Sequence, residues 1–153
     1  MSANPPDPLS LADRAGYDEI KTLLDELEPL FDDTTLRRAD PDLVEALGER
    51  LRHLHALIRV RHAAGFVDNP GCAEMIPPHL IGDQQRLLAE HSNIIGLIDR
   101  LVRLVDSVPD RSAEDREVFL LRGRELVAVL RRHEAEEDRL FYLAYWHDSG
   151  GGD

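Results

Sequence analysis

A single cysteine, Cys72, among 153 residues rules out an internal disulfide. With no second cysteine or histidine at short spacing it is also a poor zinc ligand. Its surroundings offer no electropositive setting for thiolate chemistry, so it reads as a passive loop thiol. Basic residues are scarce as well. Eighteen of them face 30 acidic side chains, and the formal charge of −12 repels phosphate backbones and anionic headgroups, which argues against nucleic acid and membrane surfaces as partners. No apolar run approaches the roughly 20 residues that a membrane span requires. The opening MSANPPDPLS has neither a basic start nor an apolar stretch, and a cytoplasmic protein is expected. There is no phosphate-binding glycine loop and no serine in a recognisable nucleophile setting. No residue pair argues for turnover, so the chain is not read as an enzyme.

What is present is the composition of an ordinary globular domain: 42% hydrophobic and 31% charged, in a length that buries a core without staples. Four long segments carry apolar residues at steps of three and four, and none shows sustained alternation. The first, about 9 to 31, puts Tyr17, Ile20, Leu24, Leu27 and Phe31 on one face, with Pro29 expected to kink or end it. The second opens on Asp40 as cap and Pro41 at the first helical position, and its stripe runs Leu47, Leu51, Leu54, Ile58. A connection over 65–79, with turn signals at Asn69, Pro70 and Gly71, leads to the third, about 80 to 107. That segment carries Leu87, Leu88, Ile94, Ile98, Leu101 and Val105. The turn SVPDRS follows, and Ser112 with Asp115 resembles a capping box at the start of the fourth segment, about 113 to 146. The expectation is an all-α, antiparallel up-down four-helix bundle over 9–148, flanked by flexible segments at 1–8 and 149–153. IKTLLDEL at 20–27 and IIGLIDRL at 94–101 share Ile, Leu, Leu and Asp at matched positions, which makes helices one and three pseudo-equivalent.

Polar residues interrupt two of the apolar stripes. On the fourth segment the core positions are Leu126, Leu130, Leu140 and Ala144. An advance of about 100° per residue puts His133 and Glu137 within about 20° of their centre and Glu136 roughly 80° away, at the edge. His91 takes the core seat between Leu87 and Ile94 on the third. Three imidazole or carboxylate groups therefore converge from two helices. A bare carboxylate in an apolar core costs several kcal/mol unless compensated, and a metal ion with nitrogen ligands is one compensation. Two histidines and a carboxylate are a ligand set for iron with open positions. Hydrogen-bonded core residues, or a Glu paired with an Arg, are the alternative. His53, His55 and Arg59 scatter around the second segment as a solvated surface, and His79 and His147 lie at helix ends. HEAEE lacks the second histidine of a zinc protease, and Leu88 and Leu130 stand where ferritin-like E-x-x-H motifs carry glutamate.

LLAEHSNIIGLIDRL followed by LRRHEAEEDRLFYLAY resembles the last two helices of the hemerythrin-like, or HHE cation-binding, domain family, over about 80 to 148. The resemblance implies a non-haem iron site inside a four-helix bundle, of the bacterial kind, with His91, His133 and Glu137 as ligands. It also implies oxygen, nitric oxide or peroxide as a small ligand to be bound or sensed. The first half departs from the family pattern. Tyr17 stands where the repeat places a histidine. In LRHLHALIRVRHAAGFV, alignment on Phe66 puts Ile58 and His62 at the ligand positions, while a shift of one residue puts Leu57 and Arg61 there. Neither restores a carboxylate, so one ion is expected rather than two, held by His91, His133 and Glu137 with His62 or Tyr17 as further candidates. The alternative is a metal-free structural or interaction module, in which Arg61 or protonated His62 neutralises Glu137. A protein partner or homodimer is compatible with either.

Overall fold

The computed structural model describes residues 11–32, 40–64 and 77–150, with the side chains of 11–17, 62–64, 141 and 144–150 outside that description. Among the described residues there are four α-helices, two short 3-10 turns and no strand. The helices are α1 (Leu11–Asp32), α2 (Pro41–Ala64), α3 (Ile81–Val105) and α4 (Ala113–Gly150). The expectations for 1–8, for the Cys72 connection, and for the side chains of Tyr17, His62, Ala144 and His147 lie outside the described residues. None of the described helices is long and apolar enough to cross a membrane.

Local chemistry sets the helix ends. Asp40 caps α2, its Oδ1 accepting from the Asp42 N–H at 3.0 Å, with Pro41 where a missing N–H costs nothing. α3 stops at the turn Val108–Asp110, and α4 starts with Ser112 Oγ accepting from the Asp115 N–H at 3.1 Å. Three expectations need correcting. Pro29, expected to kink or end α1, does not end it, and the helix continues to Asp32. The proline forfeits a single backbone bond near the helix end, and burial of Leu27 and Phe31 on either side outweighs that loss. Leu88 is only half-buried, because the stripe on α3 runs Leu87, His91, Ile94, Ile98, Leu101, Val105 and leaves Leu88 on its flank. α4 extends to Gly150, past the expected end at about 146, since nothing in YWHDSG removes a backbone donor.

Each helix packs against two others: α1 on α2 and α4, and α3 on the same pair. α1 and α3 thus occupy opposite corners, as their internal repeat suggests. The core is almost wholly aliphatic, with Leu27, Leu51, Leu54, Ile58, Ile94, Ile98, Leu126 and Leu130 fully buried. Two phenyl rings join it: Phe31, buried at the end of α1, meets the buried Phe119 of α4 with centroids 6.1 Å apart. Phe31 lies directly on Gly123, where a Cβ would collide with the ring. Arg124 ties the same corner, its Nε 3.0 Å from Asp32 Oδ1 and 3.4 Å from the Phe31 carbonyl oxygen.

Gly123→Ala should therefore destabilise the bundle although alanine is the better helix former. Overpacking costs roughly 1–3 kcal/mol against about 1 kcal/mol gained in propensity. A lower thermal midpoint is expected, partly recovered by adding Phe31→Leu; a midpoint at or above that of the parent would contradict the packing described.

Candidate metal centre

Two adjacent helices supply the polar cluster. The i to i+4 step on α4 brings His133 and Glu137 to one face, and His91 on α3 fills the facing seat. All three are buried, His133 completely. His133 Nε2 lies 3.3 Å from Glu137 Oε2, and His91 Nε2 lies 3.8 Å from the same oxygen. The imidazole rings stand edge to face, 4.8 Å between centroids. One ligand atom from each residue, a ring nitrogen or a carboxylate oxygen, falls within 4.8 Å of the others, a grouping that can hold a metal ion.

The orientation of the donors fits a cation. Glu137 Oε2 is buried and faces the Nε2 atoms of both imidazoles, at 3.3 Å from His133 and 3.8 Å from His91. On the other side of the His133 ring, Nδ1 is 2.9 Å from Glu90 Oε2. With its proton on Nδ1 the ring donates to Glu90 and keeps the Nε2 lone pair for a metal, the usual outer support of a ligating histidine.

Glu134, which sequence reasoning did not assign to the cluster, joins it together with Arg61. Glu134 is buried, and Arg61 Nε of α2 donates to its Oε2 at 2.9 Å. The same guanidinium reaches Glu137, with Nη2 3.8 Å from Oε1. In the metal-free alternative Arg61 or protonated His62 is expected to neutralise Glu137; the shorter contact of Arg61 is with Glu134, and its contact with Glu137 is the longer one. A cavity of about 120 Å³ between α1 and α4, lined by Ile20, Lys21, Leu24, Arg131 and Glu134, flanks this pair. Ile58 is buried in the hydrocarbon core and Leu57 half-buried, and α2 presents Arg61 to the cluster. The backbone places Tyr17 on α1 and His62 on α2, and their side chains are outside the described residues. Glu136 stands at the edge as expected, 3.3 Å from Arg86. His53 and His79 are exposed and His55 half-buried.

The electrostatics follow from burial opposed by partners. Burial pushes the Glu134 carboxyl up; Arg61 opposes the rise and the charge of Glu137 adds to it. Burial would raise Glu137 too, but His133, His91 and Arg61 hold it down at about 2. Burial lowers His133, and Glu137, Glu90 and Glu134 more than offset it, so the imidazole protonates more readily than a free one.

Because Glu137 is held below its ordinary value of 4.5, its contribution to stability is fully present above that pH and is lost as pH falls toward 2. The span corresponds to about 3 kcal/mol at roughly 1.4 kcal/mol per unit. In chelator-treated protein, the thermal midpoint of the parent should fall more steeply over this range than that of Glu137→Gln. Parallel curves would show that Glu137 is not held as described.

Comparison of the chain with protein-family models, with curated protein sequences and with solved structures finds no match, so the assignment of this centre stands on its geometry and on the residues that form it.

Proposed function

We propose that the protein is a hemerythrin-like metal-binding protein of antiparallel up-down topology. It holds one non-haem iron ion, or a substitute metal, through His91, His133 and Glu137. The observation that carries the reading is the convergence of these three donors from two helices in a buried site, with Glu90 fixing the far side of the His133 ring. A buried carboxylate facing two imidazoles is costly as a bare charge and is matched by a cation. Iron bound by two imidazoles and one carboxylate keeps open positions, which supply reversible binding of oxygen, nitric oxide or peroxide.

The protein's own residues do the rest. Glu90 sets the tautomer and rotation of His133. Arg61 engages Glu137 Oε1 and leaves Oε2 toward the imidazoles. Buried aliphatic residues on α2, α3 and α4, among them Ile58, Leu87, Ile94 and Leu130, exclude water from the same level of the core. The role is binding or sensing rather than turnover.

A second reading has an observation of its own. Arg61 compensates Glu134 at 2.9 Å and Glu137 at 3.8 Å without any metal, as a structural or interaction module descended from a metal site would require.

Elemental analysis of purified, tag-free protein, with its ultraviolet and visible spectrum, separates the two. About one metal ion per chain is expected, with most of it lost in His133→Ala. Equal metal in His133→Ala would refute the ligand assignment, and a chain that stays metal-free on anaerobic reconstitution with ferrous iron would favour the module. Glu90→Gln, which spares all three ligands, should weaken metal binding by about 10–100-fold in a competition titration. Unchanged affinity would remove Glu90 from the site.

A further inference from the structure

We propose that the buried Arg61–Glu134 pair sets the net charge of the centre, so that it accepts one divalent cation and no second ion. The inference rests on the metal reading above and concerns two residues that ligate nothing in it. Arg61 enters from α2 with its side chain 11% exposed, and Glu134 meets it from α4 with 5% exposed.

Position supplies the first argument. The Glu137 carboxylate is divided between two neighbours: Oε2 faces His133 Nε2 at 3.3 Å and His91 Nε2 at 3.8 Å, while Oε1 faces Arg61 Nη2 at 3.8 Å. A carboxylate that bridges two metal ions needs both oxygens for them. Here the second oxygen looks at a guanidinium, and an ion on that side would sit a few ångströms from a fixed positive charge. Like charges at that separation repel strongly where burial limits screening by water.

Charge supplies the second. Glu90, Glu134 and Glu137 bring three negative charges to the cluster and Arg61 one positive, with the histidines neutral as metal ligands must be. The remaining two negative charges match one divalent ion. A second divalent ion would leave two uncompensated positive charges in a buried place. Two nearby arginines are engaged elsewhere: Arg131 binds Asp25 and Glu28 at 2.8 and 2.9 Å, and Arg86 binds Glu136 at 3.3 Å.

The test is titration of chelator-treated protein with cobalt(II), which reads both stoichiometry and affinity, for the parent and three isosteric or near-isosteric variants whose folding is checked by circular dichroism. The parent should bind one ion per chain. Glu134→Gln removes a negative charge without touching a ligand and should weaken binding by about tenfold or more. Arg61→Gln should bind at least as tightly as the parent. The double variant Arg61→Gln/Glu134→Gln restores the original net charge and should return to within about threefold of the parent. A purely structural role for the pair predicts weaker binding in both single variants, Arg61→Gln included, because each leaves its partner unpaired, and that result overturns the proposal, as does a double variant that stays as weak as Glu134→Gln. So does a parent that binds two ions, or a tenfold loss in Arg61→Gln. A parent that binds no cobalt(II) overturns the metal reading itself and this inference with it, whereas the other adverse outcomes leave that reading standing.

Discussion

A carboxylate buried in an aliphatic core is the constraint around which this bundle is organised. Glu137 sits on the face of α4 that also carries Leu126, Leu130 and Leu140, and no rotation of the helix can bring it to water without exposing them. Its charge must be met where it stands. Two imidazoles meet one oxygen and a guanidinium meets the other. Each of those groups then needs support: Glu90 behind His133, and Glu134 beside Arg61. The polar cluster grows outward from one residue until it reaches a side chain with partial access to water, Glu90, at 22% exposure.

The two halves of the chain have different tasks in this arrangement. α3 and α4 bring the three donors and the outer carboxylates. α1 and α2 contribute mostly hydrocarbon, with Arg61 as their one described charge in the cluster. The corner where Phe31 seats against Gly123 fixes α1 on α4 far from the donors, so packing and chemistry are anchored at separate levels of the bundle.

Much of this was legible in the sequence, for reasons that can be named. The stripes on α1 to α4, the Asp40 cap and the Ser112 start depend on local spacing and local hydrogen bonds, which sequence records directly. His91, His133 and Glu137 stood out because a polar residue on a regular apolar stripe breaks a visible pattern. Glu134 did not stand out. It lies about 100° from His133 on the helix, on a face that reads as polar, and it is buried only because α2 delivers Arg61 to it from 73 positions away. Glu90 hid in the same way, one position before His91 and among exposed neighbours. The signal that could have found Glu134 is Arg61: an arginine on α2 turned toward the cluster is met by two acids, Glu134 and Glu137.

The three donors also share a topological property. His91, His133 and Glu137, with Glu90, all belong to one pair of consecutive helices joined by residues 106–112, while Arg61 comes from the preceding half of the chain. Closing a short connection costs little entropy and takes far less time than bringing distant segments together. The donor set can therefore come together in a helical hairpin while the rest of the chain is still finding its place, and a metal ion arriving at that stage would act as a template for folding. The guanidinium that defines the finished site would be the last of its groups to arrive.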